Sequence, residues 1–113
     1  MFEIRYYESS RGEVYVREYI DQLVGNHQCK ILAFIKKLRN QGYLLRRPVA
    51  AYLGSKLWEL RPGSHRILYS FYERDKIILL HAFHKKSSEV PKGDMELAMN
   101  RLNDWLNRGR YEK

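Results

Sequence analysis

Apolar and polar residues alternate along residues 57–86, LWELRPGSHRILYSFYERDKIILLHAFHKK, and two breaks divide the stretch. Pro62-Gly63-Ser64 and Arg74-Asp75 separate residues 57–61, 66–73 and 76–85, each rich in Leu, Ile, Tyr or Phe. Runs of that composition between turn formers predict three consecutive antiparallel strands. Successive side chains on a strand take opposite faces. Leu57, Glu59 and Arg61 then share one face of the first strand, Trp58 and Leu60 the other, and Arg61 closes the strand at a sheet edge. In the second strand Arg66, Leu68, Ser70 and Tyr72 oppose Ile67, Tyr69 and Phe71; in the third, Ile77, Leu79, His81, Phe83 and Lys85 oppose Ile78, Leu80, Ala82, His84 and Lys86. Large apolar side chains on both faces predict a sheet covered on both sides by helices.

The flanks supply those helices. Residues 2–8 alternate as a short strand, and Ser9, Ser10 and Gly12 mark a turn and a helix start. Val16, Tyr19, Ile20 and Leu23 follow at helical spacing up to Gly25-Asn26. Ile31, Leu32, Phe34, Ile35 and Leu38 form a second stripe ending at Gly42, with Lys30, Lys36, Lys37 and Arg39 on its wet side. Residues 43–55 have no clean period and carry Arg46-Arg47-Pro48 and Gly54, which predicts a basic loop or an irregular strand. After Ser87-Ser88, Pro91 opens a last helix with Met95, Ala98, Met99, Leu102, Trp105 and Leu106 on one side. The predicted fold is α/β (α+β), in the order β-α-α-β-β-β-α, with a small, mostly antiparallel sheet. At 113 residues the chain fits one domain.

Charge changes the picture by where it lies. The net is +8, yet residues 1–29 hold 3 basic and 5 acidic residues and residues 93–113 hold 4 of each. The remaining 14 basic and 4 acidic residues fall between 30 and 92, which concentrates a net +10 in the middle and its sheet. Such a field attracts polyanions, and phosphate binding there releases counterions. Nucleic acid is the partner this favours. No apolar run approaches the ~20 residues of a membrane span, and residues 2–8 read as a strand rather than a signal peptide. The single cysteine, Cys29, excludes an internal disulfide and suits a reducing cytoplasm.

The words LWELR at 57–61, HRILY at 65–69 and HAFHKK at 81–86, followed by a Pro91-initiated helix, resemble the RelE/ParE superfamily of bacterial type II toxins, and especially its phage-derived HigB-like branch. The resemblance spans nearly the whole chain. It implies a compact toxin domain that cuts mRNA in the ribosomal decoding site, and a cognate antitoxin, often a helix-turn-helix protein. It also places the superfamily's site arginines on Arg61 and Arg66, and the basic end of the last strand on His84, Lys85 and Lys86. Two places depart from the pattern. Glu89-Val90-Pro91 stands where RelE-type toxins carry a tyrosine, and Arg47-Pro48 where HigB toxins carry a histidine before proline. Gyrase-poisoning ParE relatives share the fold, so a noncatalytic gyrase inhibitor and an inactive prophage-derived nucleic-acid-binding module are the alternatives.

Metal-independent RNA cleavage needs a proton acceptor for the ribose 2′-OH, cations around the phosphorane and a donor for the leaving 5′-oxygen. A guanidinium offers forked donors and a permanent charge, which makes Arg61 and Arg66 phosphate clamps. Their other use would be ion pairing with Glu59 or Glu73. His84 is the candidate acid or base, with Lys86 on its face of the strand as a transition-state cation. His81, three residues away, lies on the opposite face of a regular strand. Arg46, Arg47, Lys56 and Lys85 are candidate phosphate contacts, and Tyr69 and Phe83 either stack bases or fill the core. No Walker loop, zinc spacing or Ser/His/Asp order is present, so no cofactor or metal is expected. His27 stands alone in a turn.

Overall fold

The computed structural model describes residues 1–111. Strands β1 (Glu3–Tyr6), β2 (Ala50–Gly54), β3 (Leu57–Leu60), β4 (His65–Tyr72) and β5 (Lys76–His84) form one sheet in the order β1-β5-β4-β3-β2. Only the β1–β5 pair is parallel; β5–β4, β4–β3 and β3–β2 are antiparallel. Helices α1 (Tyr15–Gln22) and α2 (Asn26–Gln41) pack on one face, and α3 (Lys92–Tyr111) on the other. No helix among the described residues is long and apolar enough to cross a membrane. The predicted α+β class and its mostly antiparallel sheet are what the chain adopts.

Each face has its own core. Val16, Ile20, Ile31, Ile35 and Leu38 of the helix pair meet Leu60, Ile67, Tyr69, Ile77 and Leu79 of the sheet. Ala98 and Leu102 of α3 meet Leu57, Leu68, Ile78 and Leu80. The leucine and isoleucine side chains of β3, β4 and β5 are fully buried, and each contributes about 1.5–3 kcal/mol. At the start of α1 the Glu18 carboxylate accepts a hydrogen bond from Val14 N–H at 3.1 Å, satisfying a donor at the helix N-terminus. Gly42 closes α2 at φ +46°, and its Cα lies so close to the Phe2 ring that a Cβ there would fall 2.1 Å from Phe2 Cε1.

Two predicted features are corrected. Of the two readings of residues 43–55, a loop or an irregular strand, residues 50–54 take the second as β2, which pairs with β3 and brings the order to β-α-α-β-β-β-β-α. Its signal is faint because Ala50 and Ala51 are both buried and the register shifts between Tyr52 and Gly54, so no two-residue period survives. The second correction concerns β5. Leu68 pairs with His81, but the next residue, Tyr69, pairs with Leu79, which leaves Leu80 as a bulge. Ile77 and Leu79 therefore face the helix pair, as does Ala82, whereas Ile78, Leu80 and Phe83 face α3. The predicted single face of Ile77, Leu79, His81 and Phe83 is split at that bulge.

Candidate functional site

The turn from β3 to β4 is locked by backbone chemistry before any ligand arrives. Pro62 C=O accepts from His65 N–H at 3.1 Å, and Ser64 C=O accepts from Lys85 N–H at 2.7 Å, which ties the end of β5 to the turn. Gly63 sits at φ +64°, a conformation that favours glycine. Arg66 Nη1 donates to Gly63 C=O at 2.8 Å and to His65 C=O at 2.7 Å, while Nε lies 3.5 Å from Glu59 Oε1. Arg66 and Glu59 are both buried. Burial, then the neighbouring Arg61, push the Arg66 guanidinium below its usual range, and Glu59 opposes them; so high a starting value still leaves it charged. Arg66 is thus first the clasp of the turn and the partner of Glu59.

On the helix-pair side of the same turn lies a histidine cluster. His65 is 5% exposed. Its Nδ1 is 2.7 Å from Tyr19 Oη and its Nε2 is 3.1 Å from His27 Nδ1. The His27 and His84 rings each meet the His65 ring edge to face, with centroids 5.2 and 5.3 Å away. Burial, helped by His84, His27 and Arg66, holds the His65 pKa below its ordinary value, and burial raises that of Tyr19. At neutral pH the pair is therefore a neutral imidazole beside a protonated phenol, and the imidazole has one N–H and one lone pair to share between Tyr19 and His27. The chain Tyr19–His65–His27 can pass a proton in either direction by a change of tautomer.

Shallow clefts join these groups. Asn26, His27, Lys30, Pro62, Gly63, Ser64 and His65 line one of about 150 Å³. Lys30, Gly63, Arg61, Arg66, Pro48 and Phe34 belong to the next, of about 260 Å³. Arg61 and Glu59 also line a third with Arg47, on the α3 side. A sequence model describing "Phage derived protein Gp49-like (DUF891)" matches residues 18–103, which contain every one of these groups. The chain belongs to this phage-derived Gp49-like family. That membership fits the RelE-like toxin kind which the words of the sheet resemble. No curated protein matches the sequence.

In the Gp49-like sheet, Arg61 and Arg66 converge on one cleft. His84 is at the same end, since it is the cross-strand partner of His65, but alternation puts it on the face opposite Arg66. Lys85 and Lys86 follow it, both exposed. Arg46 and Arg47 are exposed and line a cleft with Tyr52 and Trp58. Lys56 does not join them: it lies in the β2–β3 turn at the far end of that hairpin, where its C=O accepts from Ser70 Oγ. Tyr69 is fully buried with its hydroxyl unpaired, so its ring is core and cannot stack a base. His81 faces α3, donating from Nε2 to Asp94 Oδ1 at 2.6 Å and stacking on Phe83. The β5 bulge precedes both His81 and His84 and leaves them on opposite faces.

Four residues escape the sequence reading: Tyr19, His27, Lys30 and His65. The signal for His27 is its register with Ile31, one turn later on the buried stripe of α2. For His65 it is alternation, which places it on the face of Ile67 and Tyr69. Lys30 is read as wet helix surface, yet its Nζ would lie 3.7 Å from a Cβ at Gly63.

Proposed function

We propose that this Gp49-like protein is the toxin of a type II toxin–antitoxin pair, a HigB-like endoribonuclease that cuts mRNA on the ribosome and is restrained by a helix-turn-helix antitoxin. The observation that carries this reading is a buried, neutral His65 joining two exposed imidazoles, His27 and His84, beside a turn crowded by Arg61, Arg66 and Lys30. In the reaction, the ribose 2′-oxygen forms a bond to phosphorus and the bond from phosphorus to the 5′-oxygen breaks. His84 takes the 2′-OH proton and His27 supplies one to the leaving oxygen, with His65, bonded to Tyr19 and His27, orienting the His27 ring. Arg61, Lys86 and Lys30 surround the phosphorane, and Arg66, on the face opposite His84, holds the β3–β4 turn that carries Arg61. Lys85, Arg46 and Arg47 hold the flanking phosphates. The products are a 2′,3′-cyclic phosphate and a 5′-hydroxyl.

Induction in bacterial cells, followed by growth, transcript integrity and plasmid supercoiling, tests the reading. Wild type is expected to arrest growth with cut transcripts and normal supercoiling, and H84Q and R61Q to relieve arrest while folding normally. Intact transcripts with altered supercoiling would replace the reading with gyrase inhibition. Harmless wild-type protein that still binds RNA would leave a binding module.

A further inference from the structure

Beside the helix-pair core, β2 and β3 carry a partly exposed aromatic surface. Tyr52 and Trp58 are cross-strand partners with ring centroids 5.1 Å apart. Tyr52 is 54% exposed, and Tyr43, stacked on Phe71 at 4.1 Å, is 46% exposed. Trp58 links the two through an edge contact with Phe71 at 5.8 Å. Arg46 and Arg47 stand beside Tyr52 and Trp58 around an open cleft of about 430 Å³. Arg46 Nη1 donates to the carbonyls of Tyr43 and Leu45, which sets its guanidinium between the aromatic pair and the 3-10 turn (Gly42–Leu44). Among the described residues, no acidic one lines that cleft.

We propose that Tyr52 and Trp58, with Arg46 and Arg47, form a stacking platform for an unpaired RNA segment next to the scissile phosphodiester. The proposal rests on the RNA-cleavage reading and adds a base-binding subsite to it. Exposed rings flanked by guanidinium groups suit nucleobases, because every base has a π-face and the phosphates between bases need cations. Continuity with the reactive end supports this occupant. Arg47 lines both this cleft and the one containing Arg61, and Arg61 in turn shares a cleft with Arg66 and Lys30. One strand laid along these cations would place its bases on Tyr52 and Trp58 while its phosphate reaches the β3–β4 turn.

The test is fluorescence anisotropy of a labelled 2′-O-methyl oligouridylate of about six nucleotides, which lacks the attacking hydroxyl and is not cut. A same-length abasic strand serves as control. Wild type is expected to bind the oligouridylate about tenfold or more tighter than the abasic strand, the range of one stacked base. Y52A is expected to lose that margin and Y52F, which keeps the ring but drops the bond from Lys56 N–H to Tyr52 Oη, to retain it. Equal binding of both strands by wild type, or unchanged binding by Y52A, overturns the platform but leaves RNA binding standing. No binding of either strand would also remove the RNA reading beneath it. A wild-type dimer that Y52A converts to monomer would assign the surface to a second copy and overturn the proposal.

Discussion

Arg66 and Arg61 read alike in the sequence, but their surroundings separate them. Truncating Arg66 leaves Glu59 charged, buried and alone, and strips two carbonyls of their donor. R66A is expected to destabilise by about 3–5 kcal/mol, seen in urea unfolding, and a paired E59L/R66L exchange to recover much of it. R61Q removes a half-buried cation that has no ion pair among the described residues, and is expected to unfold at nearly the wild-type midpoint. Loss of growth arrest is therefore interpretable in R61Q and confounded in R66A. The histidines give a pH dependence. Burial depresses His65 and His81 below their ordinary 6.5 in the folded state, so between the folded and unfolded values the unfolded chain binds more protons, and stability rises with pH there. Their contribution is complete above about 6.5 and fades as the pH falls through the folded values. The urea midpoint is expected to drop between pH 7.5 and 5.5, less steeply in H65Q and H81Q; a flat wild-type profile would contradict this.

At the scale of elements, the stripes of α1 and α2 and the strands β3, β4 and β5 were legible because each keeps its period over several residues. β2 was legible only as an irregular strand offered beside a loop, since two buried alanines and a register shift erase alternation within five residues. The β5 bulge was invisible for a related reason: Ile77 to Leu80 is apolar throughout, and a uniformly apolar run contains no face to misplace. The places of Arg61, Arg66 and His84 near strand ends were legible. The contact of His27 with His65 was not, because His27 belongs to a different element whose approach to the β3–β4 turn depends on the packing of α2. Phe2, just ahead of β1, packs against the end of α2. G42A combines a positive φ with a Cβ driven into the Phe2 ring, and is expected to cost about 1–3 kcal/mol. Thermal melts should show F2A in that background recovering part of the loss.

For the whole molecule, part of the positive charge concentrated between residues 30 and 92 gathers in clefts at one end of the sheet, from His27 and Lys30 through Arg61 to Arg47. Single-stranded RNA bound there should show a log–log salt slope of about −0.7 per phosphate contacted. R47Q and R61Q are each expected to reduce it by about one contact, without altering the fold. The chemistry itself is tested most directly at the 3′ ends of transcript fragments recovered after induction. Transesterification driven by His84 and His27 leaves 2′,3′-cyclic phosphate or its 3′-phosphate hydrolysis product, in wild type and not in H84Q. Fragments ending in 3′-hydroxyl, or the same ends at undiminished level in H84Q, would contradict it.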